Sequence, residues 1–91
     1  MRVLHILYDA ECGLCNRFRE WLMRQATHVA LEFVPLQTPL LEQRFPGVSR
    51  FEPDREIVVI DDEGQLYQGA RAWVLCLWTT HEYRVLSHKL A

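Results

Sequence analysis

The sequence predicts an α/β fold, a central mixed β-sheet in the order β-α-β-α-β-β-α with helices on both faces. Three observations lead there. The chain opens with a β-branched and aromatic run that ends in a turn, follows it with a segment of helical apolar spacing, and carries a hairpin-like pair of runs in its second half. With 91 residues and an apolar share of 49%, there is material to cover one sheet with helices and no room for a second core. Residues 1–91 therefore read as a single domain.

The first strand is Val3 to Tyr8, closed by Asp9-Ala10-Glu11. From Cys12 to Gln25 the apolar residues Leu14, Phe18, Trp21 and Leu22 recur at three- and four-residue steps, while Arg17, Glu20 and Arg24 fall elsewhere on the wheel, which predicts an amphipathic helix. Val29 to Leu36 alternates as a second strand, with Pro35 marking an edge or boundary. If these two strands are parallel in one sheet, the connection between them is a right-handed crossover. Thr38 offers an N-cap and Pro39 a first helical residue for a short helix through Leu40, Leu41, Arg44 and Phe45, which Pro46-Gly47 stops. A polar loop through Pro53 leads to a strand over Glu56 to Asp61, a turn at Asp62-Glu63-Gly64 and a returning strand from Gln65 to Tyr67. Gly69 opens a buried helix over Ala70 to Trp78, and Thr79 to Glu82 breaks it. Tyr83 to Ala91 carries no decisive pattern, although its apolar residues make a second copy of the chain a candidate partner.

Composition removes several classes of function. The net charge is -2 and no basic stripe is present, so no nucleic-acid partner is expected. The apolar run at the start is far too short for a secretory signal or a membrane span, which predicts no membrane partner and a cytoplasmic location. Three cysteines in a reducing compartment do not make a disulfide scaffold, so they must serve chemistry, metal or packing.

Cys12-Gly13-Leu14-Cys15 at a helix start suits dithiol exchange, because this spacing lets both sulfurs close a disulfide with little backbone movement. Free N–H groups and the helix dipole favour a thiolate on Cys12, the expected nucleophile, and Gly13 leaves its approach open. Cys15, one turn inward, is the expected resolving thiol. Asp9 and Glu11 bring negative charge that opposes thiolate formation. Asp9 fits two roles, a cap on the helix or a proton acceptor for Cys15.

The other candidates read as structure. Cys76 with His81 could complete a Cys3His zinc set, but the apolar residues around Cys76 point to burial. Trp21, Trp73 and Trp78 fit the core at helical spacing. His5, His28, His81 and His88 have no evident catalytic partner, and Asp61-Asp62-Glu63 reads as a solvated turn. No metal and no cofactor are expected.

The segment Tyr8-Asp9-Ala10-Glu11-Cys12-Gly13-Leu14-Cys15-Asn16 resembles the signature of the DCC thiol-disulfide oxidoreductases, Asp-x-x-Cys-x-x-Cys. The resemblance extends to the preceding strand, to Phe18 and Trp21-Leu22, and more loosely to the Asp61–Gly64 turn and Gly69-Ala70-Arg71-Ala72. It implies a thioredoxin-like fold and a redox role for Cys12 and Cys15, with Asp9 as the third signature residue. Thioredoxin-like reductases carry a cis-proline just before the third strand. Here that place reads Asp54-Arg55-Glu56 with Pro53 earlier, a departure that bears on substrate pairing at that loop, although members of the family also manage without that proline. Family members also continue past the third helix, so the chain reads as a minimal member or a fragment. Two functions follow: an exchanger of disulfides with a protein or small-thiol partner, or a non-catalytic binding module whose cysteine pair holds zinc or is idle.

Overall fold

The computed structural model describes residues 2–80. It contains β1 (Val3–Tyr8), α1 (Gly13–Met23), β2 (Ala30–Pro35), α2 (Leu41–Arg44), a 3-10 turn (Val48–Phe51), β3 (Val58–Asp61), β4 (Leu66–Gln68) and α3 (Ala70–Trp78). The four strands form one mixed sheet in the order β2-β1-β3-β4. β1 pairs parallel with β2 and antiparallel with β3, and β3 pairs antiparallel with β4. This is the α/β arrangement expected of a thioredoxin-like chain.

Strand alternation divides the core into two layers. On one face Leu4, Ile6 and Val59 pack with Leu22 of α1 and with Ala72 and Cys76 of α3. On the other, Leu7, Val58 and Ile60 pack with Val48 and, at the margin, with Leu41 and Phe45. All four residues of β3 are buried, as a strand covered on both faces requires. Pro35 ends β2 at the sheet edge, where its missing N–H interrupts no ladder.

β1 and α3 occupy the ranges the sequence predicts. The second helix does not. Thr38 donates its N–H to the Pro35 carbonyl in a turn, and Leu40, in the left-handed region at φ 65°, is the residue that precedes the first helical turn. Thr38 is therefore no N-cap and Pro39 no first helical residue. The loop before β3 also contains an unpredicted 3-10 turn, held by the exposed Glu42 carboxylate, which accepts the N–H groups of Gly47 and Ser49. The returning strand lies one residue later than expected because Asp61 accepts the Glu63 and Gln65 N–H groups, and Gly64 supplies the left-handed residue at φ 85°. The expectations for Tyr83 to Ala91, His81 and His88 fall outside the described residues.

Candidate active site

β1 is anchored in the core by Leu4, Ile6 and Leu7 and delivers the chain to the Asp9-Ala10-Glu11 turn. Asp9 Oδ1 accepts the Glu11 N–H at 2.9 Å and the Gln37 side-chain amide at 2.9 Å. Gln37 in turn accepts the Ala10 N–H at 3.2 Å, and Asn16 donates to the Ala10 carbonyl at 2.8 Å. The turn is thus tied to α1 on one side and to the segment after β2 on the other. Asp9 is not the helix cap, a place taken by Cys12; its carboxylate closes the turn before the helix instead, because the chain turns too early there for Asp9 to reach the free N–H groups of α1.

Cys12 is the N-cap of α1, with extended backbone at φ -92° and ψ 119°. Its N–H donates to the Asp9 carbonyl at 3.0 Å, and its sulfur accepts the Cys15 N–H at 3.4 Å. The sulfur thereby occupies the place a serine or aspartate oxygen takes in ordinary capping. Both thiols are free and half-buried. The Cys15 thiol donating to Cys12, followed by the backbone N–H groups of Cys15 and Leu14, lowers the Cys12 thiol below the ordinary 9.0, against opposition from burial and from the Asp9 charge. Burial, then the hydrogen bond toward Cys12 and its charge, raises Cys15. Cys12 is thereby the more acidic thiol of the pair. A Cβ at Gly13 would meet nothing within 4 Å, so the approach over that residue is open.

A cavity of about 390 Å³ lies beside the pair, between α1, the start of α3 and the loop before β3. Phe18, Phe33, Ile57 and Trp73 supply its apolar wall, and Arg19 contributes a cation. Pro53 through Glu56 line the same cavity as Cys12, although no peptide bond among the described residues is cis. At the rim Leu14 is 73% exposed and Trp73 41%. Trp73, expected in the core, instead meets Phe18 edge-on at 4.4 Å over the cavity, while Trp21 and Trp78 pack against the core as expected.

Cys76 is fully buried, and burial pushes its thiol up to about 12. No group of three or more His, Cys, Asp or Glu is placed to hold a metal ion among the described residues, so Cys76 does not join the Cys12-Cys15 pair. Asp61 is buried and spends its carboxylate on the hairpin, on the Glu63 and Gln65 N–H groups and on the Tyr67 hydroxyl at 3.2 Å. His5 has a partner the sequence did not disclose. Its Nδ1 lies 2.6 Å from Glu32 Oε1, which also accepts from Arg44. Sequence reasoning also missed Gln37 and Arg19. Gln37 lies 28 residues from Asp9 and has no local signal, whereas Arg19 stands four residues after Cys15, on the same helical face, where spacing could have found it.

A family model described as DCC1-like thiol-disulfide oxidoreductase matches residues 6–90. No curated protein and no solved structure gives a significant match. Among the described residues no helix is long and apolar enough to cross a membrane.

Proposed function

The chain belongs to the DCC1-like thiol-disulfide oxidoreductase family, and on that basis we propose that it exchanges a Cys12-Cys15 dithiol with the disulfide of a protein or small-thiol partner. The observation that carries this reading is the Cys12 sulfur at the N-terminus of α1, accepting the Cys15 N–H at 3.4 Å with the second thiol one turn along the same helix. A thiolate held in this way is the attacking species of exchange chemistry.

In the first step the Cys12 thiolate attacks one sulfur of the partner disulfide, forming a mixed disulfide and releasing the other sulfur as a thiolate, which takes up a proton. In the second, Cys15 gives its proton to solvent or to the departing sulfur and attacks Cys12. The Cys12-Cys15 bond forms, the mixed disulfide breaks, and two electrons have passed from the pair to the partner. Asp9 acts as a positioning residue, fixing the turn that presents Cys12 through its bonds to Glu11 and Gln37. Residues 1–91 then act as one domain, in the cytoplasm, where reduced thiols are the resting state.

The test is a redox titration of purified, metal-free protein in glutathione or dithiothreitol buffers, with free thiols trapped and counted by mass. A reversible two-electron transition, lost in both Cys12→Ser and Cys15→Ser, is the expected result. Absence of an intramolecular disulfide across the accessible range, or retention of stoichiometric zinc through both thiols, would replace the reading with a binding module.

A further inference from the structure

Arg19 lines the cavity beside the cysteines, and its guanidinium has no oxygen acceptor among the described residues. Its Nη1 reaches only the Met23 sulfur at 3.3 Å, its carbon lies 5.4 Å from the centre of the Tyr8 ring, and its Nε is buried with no partner. Thioether sulfur is a weak acceptor, and buried donors in folded proteins are nearly always paired, so this cation is short of a partner. The wall beside it is aromatic and aliphatic, through Phe18, Phe33, Ile57 and Trp73.

Resting on the exchange reading above, we propose that the preferred substrate is an acidic peptide disulfide, with a broad apolar side chain in this cavity and a carboxylate on Arg19. The volume of about 390 Å³ is within the range of small-ligand sites and accommodates one large side chain with an acidic neighbour. Acidic residues line the same cavity. Asp54 and Glu56 are exposed, where solvent screens them, whereas Asp9 keeps its charge, with Oδ1 held by the Glu11 N–H and the Gln37 amide, so the substrate carboxylate has to dock at the Arg19 side of the cavity. Arg19 is half-buried, so a carboxylate brought to it gains more than one brought to the surface. Arg55, the other cation on the wall, is exposed and already lies 3.8 Å from Glu52.

Three disulfide probes separate the contributions: 5,5′-dithiobis(2-nitrobenzoate), aromatic with carboxylates; 4,4′-dithiodipyridine, aromatic without them; and glutathione disulfide, carboxylates without an aromatic group. Each rate of reaction with Cys12 is divided by the rate of free N-acetylcysteine with the same probe, which removes intrinsic reactivity. The nitrobenzoate probe is expected to show the largest normalised rate. Its advantage over dithiodipyridine should fall about tenfold in Arg19→Gln and be largely kept in Arg19→Lys and in Arg17→Gln. In Trp73→Ala its advantage over glutathione disulfide should shrink.

An unchanged ratio of the two aromatic probes in Arg19→Gln, or an equal fall in Arg17→Gln, overturns the proposal and leaves exchange chemistry standing. A fold-wide disturbance in Arg19→Gln would slow both aromatic probes alike, leave their ratio unchanged and count against the proposal too. Failure of Cys12 to react with any probe removes the exchange reading and this inference together.

Discussion

Replacing Asp9 by Asn and by Ala separates a turn closure from a proton acceptor. The Asp9 carboxylate takes two donors, the Glu11 N–H and the Gln37 amide, each at 2.9 Å and each near solvent. Partly solvated bonds of this kind contribute about 0.5–1 kcal/mol each, so Asp9→Ala should cost about 1–2 kcal/mol. For a chain of this size that lowers the melting temperature by about 5–10 °C. Asp9→Asn keeps an acceptor oxygen and loses only the charge assistance, so it should cost about half as much. The Asp9 charge acts to raise both Cys12 and Cys15. Its removal should therefore increase the thiolate fraction of each, and resolution of a preformed Cys12 mixed disulfide should be no slower at pH 7 in Asp9→Asn than in the parent. Stopped-flow release of thionitrobenzoate from that mixed disulfide, recorded from pH 6 to pH 9, measures this step. A general base removed from the transition state slows a reaction by about 10²–10⁴. A loss of that size in Asp9→Asn, with stability nearly intact, would refute the positioning role and make Asp9 the acceptor of the Cys15 proton.

Pulsed alkylation with iodoacetamide should label Cys12 first, with a pH midpoint below 9.0, then Cys15, and should reach Cys76 only after unfolding; mass analysis of the peptides gives the order. Cys15→Ser removes the thiol whose neighbourhood does most to lower Cys12, and the midpoint for Cys12 should move upward. Cys76→Ala should cost about 1–2 kcal/mol by denaturant unfolding, from the small void left in the core, while the midpoint of the redox titration stays where it was. Glu32 is subject to burial, which would raise its carboxyl, but the bonds from His5 and Arg44 outweigh it and hold the group below 4.5. A carboxyl lowered in the folded state contributes stability above its unfolded value and loses it as pH falls through its folded value. Urea midpoints should therefore drop below about pH 4.5, and less steeply in Glu32→Gln.

What the sequence discloses follows the range of the forces involved. β1 and α3 were legible to the residue because each is an apolar run whose period and punctuation agree. The place of Cys12 at the start of α1 is legible because helix period, dipole and dithiol spacing all act within a few residues, whereas its sulfur as the N-cap is not, since the acidic residues before it are the commoner capping types. α2 was misplaced because Thr38-Pro39 is a good local start that a competing turn to Pro35 overrides, leaving Leu40 left-handed. The partners of Asp9 and His5 were not legible at all. Gln37 reaches Asp9 only because β2 lies parallel to β1, and His5 meets Glu32 only because that register places them opposite. The apolar neighbours of Trp73 point to the core, but on α3 it is Ala72 and Cys76 that face the sheet, which leaves Trp73 to line the cavity beside the cysteines.

The burial of Cys76 bears on fidelity as much as on packing. An unfolded chain with Cys12, Cys15 and Cys76 can close any of three disulfides, two of which would join the helix-start pair to α3. With Cys76 sealed in the layer between the sheet, α1 and α3, its thiol is kept protonated and out of reach of oxidants. Folding thus reduces three oxidation products to one. In the proposed exchange, a partner disulfide that enters the cavity meets Cys12 and Cys15 and cannot draw the third cysteine into a dead-end bond.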